Sequence, residues 1–252
     1  MDLGKRLTKV ASLILPAETL ADVGCDHGYL SIYLVEKKRC NRVIAMDVNK
    51  GPLQKAQENI SKYGYGDYIE TRLSDGLNQL QKNEAQGYVC AGMGGPLALQ
   101  ILWNDRDKIS DMQQIILQPQ SELWLVRRTL KQWGFDIEKE EIEYEDGKYY
   151  FMMRIRPTQN LVMEDLPQET DLFASGKQKT EQEYAYELFA EELLKERNQL
   201  LYEFICKEVD RLTDIRTSLS GQKDSLKCRM RMENVEKELA IHKWALERME
   251  IV

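Results

Sequence analysis

The chain has 252 residues, enough for one large or two modest domains with a proper core, and a formal net charge of −7. No apolar stretch approaches the roughly 20 residues needed to cross a bilayer and Met1-Asp2-Leu3-Gly4-Lys5 begins no signal peptide, so the expected compartment is the cytoplasm, with no membrane partner. Five cysteines (Cys25, Cys40, Cys90, Cys206, Cys228) form an odd set without a C-x-x-C pair; with only His27 and His242 besides, they argue against a disulfide framework and predict no structural metal.

Residues 3–15 have amphipathic helical spacing, ended by Pro16. Thr19-Leu20-Ala21-Asp22-Val23 then reads as a buried strand entering the turn Gly24-Cys25-Asp26-His27-Gly28, with a helix from Tyr29. Gly24 suits the sharp turn, and Gly28 is expected to let the helix start pack close to the strand. The pattern is G-x-D-x-G rather than G-x-G-x-x-G, so Asp26 stands where a dinucleotide enzyme brings a pyrophosphate against bare backbone. A carboxylate there repels phosphate and favours a cation; S-adenosylmethionine carries both a sulfonium and an ammonium. A strand-to-helix turn without a ligand would read the same in isolation, and Cys25 reads either as a reactive thiol or as an inert small residue.

Val43-Ile44-Ala45-Met46-Asp47 is a second buried strand, ending in an acid where a Rossmann-type fold binds ribose hydroxyls. A helix over 51–63 follows, then the strand Tyr68–Leu73, which ends in Ser74-Asp75-Gly76. Asp75 is the candidate acceptor for an adenine amino group, with Gly76 as the turn. A helix is predicted from Leu77, then a strand from Tyr88 running through Ala91 into Gly92-Met93-Gly94-Gly95-Pro96, where a ligand can approach the backbone. Single strand-end acids also serve as caps or turn residues; three in order strengthen the cofactor reading. A helix from Pro96, the strand Gln114–Leu117, a helix over 121–132 and two strands flanking Glu145-Asp146-Gly147-Lys148 complete the alternation. The expected fold is α/β: a class I, Rossmann-like sheet of seven mostly parallel strands with its last two antiparallel.

Pro157 closes this domain (1–156), and the polar segment 157–178, with Pro167 and Gly176, reads as linker. Within 179–252 the heptad-like steps Leu194, Leu201, Ile205, Leu212, Ile215, Leu219 and Cys228, Met232, Val235, Leu239, His242, Leu246, Met249 predict two long helices. Asn198 and Glu208 interrupt the first, and Ser220-Gly221 joins the pair into an antiparallel coiled-coil-like hairpin. His242 on the apolar seam reads as structural. By region, 1–156 carries −1, 157–219 carries −7 and 220–252 carries +1. Lys223, Lys227, Arg229 and Arg231 form a local basic run, either a solvated helix face or a phosphate contact; Lys5, Arg6, Lys9, Arg127, Arg128 and Lys131 are further phosphate candidates.

Residues 22–30 (DVGCDHGYL), 91–96 (AGMGGP) and 117–119 (LQP), with Lys5-Arg6-Leu7, resemble the bacterial tRNA adenine-N1 methyltransferases of the TrmK family, most strongly over 3–156. Cys25 and Gly28 stand where Ser and Ala are common, Met46-Asp47 replaces a Gly-Glu pair, and Gln120 replaces the Asn of LQPN. The resemblance implies a class I methyltransferase domain followed by a helical domain, S-adenosylmethionine as cofactor and tRNA as partner. The product would be N1-methyladenine at position 22 of the D-arm. Its cofactor residues would be Asp22, Gly24, Cys25, Asp26, His27, Gly28, Asp47, Asp75, Gly76, Ala91, Gly92 and Met93. Adenine N1 has an in-plane lone pair, so transfer needs alignment rather than a general base. The (Asp/Asn)-Pro-Pro-(Tyr/Phe) turn of amino-group methyltransferases is replaced by Ala91-Gly92-Met93-Gly94, which points away from N6. The target base is expected near Met93 and Tyr29, with Gln118 or Gln120 reading its edge and Arg6 orienting the nucleotide; both amides could instead satisfy local backbone. A small-molecule or protein methyltransferase, or a non-catalytic adaptor using the hairpin, are the alternatives, separated by methyl transfer to unmodified tRNA. A monomer is expected, with the hairpin as the surface on which a dimer would form.

Overall fold

The computed structural model describes residues 1–168, 171–173, 179–221 and 225–250, so Gly176 and Lys223 lie outside the described residues. The chain divides into two units, Met1–Pro167 and Gln168–Val252.

The first unit alternates strand and helix: α1 (Gly4–Leu13), β1 (Ala17–Val23), α2 (Tyr29–Glu36), β2 (Cys40–Asp47), α3 (Lys50–Lys62), β3 (Ile69–Leu73), β4 (Gly87–Met93), α4 (Gly95–Asn104), α5 (Arg106–Ile109), β5 (Gln114–Pro119), α6 (Leu123–Trp133), β6 (Phe135–Glu145) and β7 (Lys148–Pro157). The sheet has seven strands in the order β3-β2-β1-β4-β5-β7-β6. β1 to β5 are mutually parallel, and β7 runs antiparallel between β5 and β6. Strand residues alternate between two cores, as the two-residue period of a pleated strand requires. Leu20, Val43, Val89, Ile116 and Met152 pack with α1, α2 and α3 on one face, while Ala21, Ile44, Tyr88, Ile115 and Met153 pack with α4, α5 and α6 on the other. Trp133 accepts Val162 N–H on its carbonyl, and its indole and that of Trp103 donate to Asp165 and Glu164 carbonyls. Leu161, Met163 and Leu166 pack on the α4–α6 core, so residues 158–167 continue the first unit.

The helix expected from Leu77 is absent; residues 74–86 form turns, with Leu77 and Leu80 buried. Their backbone groups are taken by side chains. Asp105 accepts Leu77 N–H at 3.0 Å, Lys108 donates to Leu77 O at 2.7 Å, Arg72 donates to Gln79 O at 3.1 Å and Ser74 Oγ accepts Gln79 N–H at 3.1 Å. Those bonds replace the i→i−4 ladder that a helix would make.

In the second unit the long helix expected from residue 179 is three: α7 (Glu181–Phe189), α8 (Glu191–Lys195) and α9 (Gln199–Ser220). Ala190 (φ 66°) and Arg197 (φ 53°) leave helical geometry, and Asn198 caps α9 by accepting Leu201 N–H at 3.2 Å. α10 (Leu226–Met249) returns antiparallel to α9 around Leu212, Val235 and Leu239. His242 is buried, donates Nδ1–H to Glu238 O at 2.7 Å and meets the Phe189 ring edge-on at 4.8 Å. Burial lowers its pKa, in keeping with a neutral structural imidazole.

Within the first unit, Arg127 on α6 and Glu140 on β6 form a sealed ion pair, Nε to Oε1 2.8 Å, with the guanidinium over the Phe151 ring. Their side chains are 1% and 6% exposed. Removing the carboxylate takes a charge-assisted hydrogen bond from a buried guanidinium, so Glu140→Ala should destabilise the first unit by about 3–5 kcal/mol in urea unfolding. A loss under about 1 kcal/mol would show that Arg127 finds full compensation elsewhere.

Candidate active site

The carboxyl ends of β1, β2 and β4, the segment after β5 and helix α1 enclose a cavity of about 420 Å³. The turn after β1 is its floor. Gly24 N–H and Cys25 N–H both donate to Met46 O, at 2.8 and 2.9 Å, extending the β1–β2 ladder by one step beyond Val23. Asp26 N–H donates to Asp47 Oδ2 at 3.3 Å, and Asn49 N–H to Asp47 Oδ1 at 2.8 Å. The turn needs left-handed backbone at Gly24 (φ 74°), Asp26 (φ 48°) and Gly28 (φ 75°). A Cβ on Gly24 would lie 2.4 Å from Met93 Cε. Gly28 differs from expectation: its close approach is to α3, where a Cβ would stand 3.1 Å from Ala56 Cβ, and not to the strand.

Asp22, one residue before the end of β1, is buried and accepts a hydrogen bond from Ser31 Oγ at 2.6 Å. Burial raises its carboxyl from an ordinary 3.8 to about 6, opposed by hydrogen bonds from Ser31 and reinforced by Asp47. Burial, with help from Asp22, Asp47 and Asp26, holds the Cys25 thiol far above its ordinary value, so this sulfur stays protonated and inert.

The facing wall is Ala91-Gly92-Met93 at the end of β4 and Gln120 after β5, joined by Gln120 N–H donating to Met93 O at 2.8 Å. Gly92 (φ 87°) leaves room there: a Cβ would sit 3.6 Å from Gln120 Nε2 and 3.8 Å from Arg6 Nη1. Arg6 comes from α1, donates to Gln118 Oε1 at 2.7 Å and lies 5.5 Å over the Tyr150 ring. Glu145 at the tip of the β6–β7 hairpin accepts the N–H groups of Lys5 and Arg6 at 2.5 and 3.4 Å, capping α1 from another element.

The cavity thus brings together Arg6, Asp22, Gly24, Cys25, Asp26, His27, Tyr29, Asp47, Ala91, Gly92, Met93 and Gln120. Leu7 and Leu30, quoted above only as parts of motifs, and Asn49 and Pro52 also line it and were not among the candidate site residues; Asn49 and Pro52 sit where α3 begins, a position the strand-end acid already marked. Gln118 is buried behind Arg6 rather than in the wall. Asp75 is exposed and Gly76 is buried against Asp105 and Ile101, and neither belongs to the lining. Lys5 is exposed. Arg127 and Arg128 are corrected as phosphate candidates: both are buried, Arg127 on Glu140 and Arg128 over the Trp124 ring at 4.7 Å. Lys131 is exposed, and Lys9 pairs with Glu141 and Glu143 at 3.7 and 3.9 Å. Lys227, Arg229 and Arg231 are exposed on the first turns of α10, Arg231 lying 3.7 Å from Glu238. Among the described residues no His, Cys, Asp and Glu gather in threes for a metal ion, and no helix is long and apolar enough to cross a membrane.

Three carboxylates, Asp22, Asp26 and Asp47, face this cavity against the cationic Arg6 and the titratable His27. Such a lining disfavours a pyrophosphate and suits a ligand with positive charge and hydroxyl donors. Comparison with known proteins agrees. Residues 3–153 match the model of the methyltransferase domain family. The chain is 36% identical over 150 residues to the tRNA (adenine(22)-N(1))-methyltransferase of Bacillus subtilis (strain 168), a match spanning 60% of this chain and 63% of that protein. The crystal structure of a putative tRNA (m1A22) methyltransferase from Streptococcus pneumoniae superposes with a TM-score of 0.80 at 30% identity, over 97% of this chain and 100% of that one. Its complex with S-adenosyl-L-methionine gives 0.79 at 28% identity, over 97% and 100%.

The buried Asp22 carries a measurable consequence. A carboxyl raised from 3.8 to about 6 on folding binds its proton more tightly in the folded state, so stability falls as pH rises through that window and the loss is complete above it. Asp22→Asn keeps an acceptor for Ser31 without the charge. The variant should match the wild type near pH 4 and exceed it by on the order of 3 kcal/mol at pH 7.5 in urea unfolding. A gap that does not change with pH would remove Asp22 as its source.

Proposed function

Because this chain belongs to the methyltransferase domain family, among the bacterial TrmK-type tRNA methyltransferases, we propose that it methylates N1 of adenine 22 in the D-arm of tRNA. The observation that carries the reading is the acid-lined cavity at the carboxyl edge of the sheet, with the open Gly92-Met93 turn as its other wall. The residues present fit S-adenosylmethionine: the volume suits a ligand of that size, the carboxylates suit its two cationic groups, and no side chain at Gly24 or Gly92 blocks the backbone. When bound, the cofactor supplies a methyl group activated by its sulfonium.

The protein's own groups bind and align. Asp47, already fixed by the N–H groups of Asp26 and Asn49, would accept from the ribose hydroxyls, while Asp22 and Asp26 offset positive charge. Backbone at Ala91-Gly92-Met93 would flank the reacting centre. Arg6 and Gln120 meet at Gly92 and would hold the flipped nucleotide, Arg6 being kept in place by Gln118 and Tyr150. Tyr29, 41% exposed at the cavity, offers a face for the base. N1 attacks with a lone pair it already has, so no side chain need remove a proton, and the rate comes from orientation and exclusion of water. The first unit would carry this chemistry, and the helical unit would add grip on the tRNA backbone through Lys227, Arg229 and Arg231. An enzyme acting on tRNA in this way works in the cytoplasm.

The deciding experiment incubates the pure protein with labelled S-adenosylmethionine and unmodified tRNA and maps the product by mass spectrometry. Label on N1 of adenine 22 is expected; label on N6, or cofactor binding without transfer to tRNA, would overturn the assignment. Asp47→Ala should weaken cofactor binding by about 1.5–3 kcal/mol in calorimetry. Gln120→Ala should lower single-turnover transfer more than tRNA affinity, since an orienting contact acts mainly in the transition state; equal losses would make it a binding residue only.

A further inference from the structure

Ser31 is fully buried in the first turn of α2, outside the cavity wall, and spends its hydroxyl on Asp22 Oδ2 at 2.6 Å. The backbone of Ser31 also favours the ionised carboxylate of Asp22 electrostatically. These contacts replace a local cap, because Gly28 at the N-cap of α2 has no side chain to offer. Asp22 therefore sits at the positive end of α2 with one oxygen committed to the helix while its carboxylate lines the cavity. We propose that Ser31 is a positioning residue for the cationic cofactor, holding Asp22 from behind so that its charge is presented to the ligand in one fixed direction. The proposal rests on the S-adenosylmethionine reading above and extends it to a residue that touches no ligand.

The physical consequence is competition between a proton and the ligand's positive charge for Asp22. Around it stand Asp47 and Cys40 from β2, Cys90 from β4, Cys25, Asp26 and His27 from the turn, and Arg6 from α1. Burial keeps the three thiols protonated. Binding competence then follows the ionised fraction of Asp22, and the Ser31 hydroxyl enlarges that fraction by stabilising the anion. His27 lines the same cavity, so the test must separate Asp22 from it.

Calorimetry on the full-length protein with two probes does this: S-adenosylmethionine, and 5′-methylthioadenosine, which lacks both the ammonium and the sulfonium. Between pH 5 and pH 7 wild-type affinity for S-adenosylmethionine should rise about tenfold, and that for 5′-methylthioadenosine should stay flat. Ser31→Ala should weaken S-adenosylmethionine about five- to tenfold at pH 7 and displace its rise to higher pH, leaving 5′-methylthioadenosine within twofold. Asp22→Asn should flatten the profile, and adding Ser31→Ala to it should cost nothing further. Should Ser31→Ala fail to fold, Ser31→Cys keeps a weaker donor of similar size and should show the same shift, smaller. Equal losses for both probes, an unshifted profile in the Ser31 variants, or a pH rise that survives in Asp22→Asn would overturn the proposal. Wild-type protein that binds no S-adenosylmethionine at pH 7 would overturn the cofactor reading itself, and this inference with it.

Discussion

Three consecutive backbone N–H groups, of Gly24, Cys25 and Asp26, are donated to the end of β2, two to Met46 O and one to Asp47 Oδ2. The gathering of the acids in the site follows from that attachment. The parallel register pairs Val23 with Met46, and the extra bonds carry the pairing past the strand end before the chain reverses into α2. Reversal within so few residues demands positive φ at positions 24, 26 and 28, which glycine meets twice and an aspartate once. Asp22, Asp26 and Asp47 are thereby drawn around a single space although they belong to two strands and a turn.

Gathering three acids has an electrostatic cost that the fold meets locally and only in part. Asp47 takes two backbone N–H groups and Asp22 takes Ser31, yet burial still raises Asp22 to about 6. The cation that lines the same cavity, Arg6, is turned toward Gln118 and stacked on Tyr150 at the opposite wall. A free protein with this arrangement carries repulsion that a cationic ligand relieves, which is a direct source of preference for a charged cofactor over its neutral fragments. In the proposed reaction, loss of the sulfonium charge on transfer would weaken the same interaction, so the lining would favour exchange of spent cofactor for fresh.

The sheet and its acids were legible in the sequence because both rest on short-range patterns. Apolar runs bounded by turn residues marked the strands, and strand-end Asp47 needed only its position in those runs, whereas Asp22 came with the family motif and Asp75, read by position as well, lies outside the lining. What was not legible depended on partners far along the chain. Leu77 and Leu80 have helical spacing, but Asp105 and Lys108, about thirty residues away, take the backbone groups that a helix would use. Arg127 and Arg128 look like any basic pair on a helix until β6 brings Glu140 against the first of them. Asn198 was read as a polar gap in a seam and is the cap at which a new helix starts. In the site, Arg6 was legible only as a phosphate candidate and as part of the family motif, since its location depends on Glu145 and Gln118, 139 and 112 residues distant. Ser31 gave no signal at all, being a small residue in an apolar helix face.

The two polar side chains that meet at Gly92 are held in opposite ways. Arg6 is fixed at both ends: Glu145 anchors its backbone, and Gln118 and Tyr150 hold its guanidinium. Among the described residues Gln120 is held through its backbone, by Met93 O, and its amide is carried on a longer arm than the Asn of the related motif would have. A rigid cation beside an adaptable amide suits a substrate that arrives flipped from a folded RNA. In the proposed reaction the charge would set where the nucleotide comes to rest, and the amide would then adjust to the base edge. Because N1 needs no proton removed, small errors in that adjustment cost orientation rather than chemistry, and the demand on the protein shifts to the rigidity of the wall behind. That wall is β4, closed off by Met93 against Gly24, so the turn that assembles the acids also fixes the surface against which the base would align in the proposed reaction.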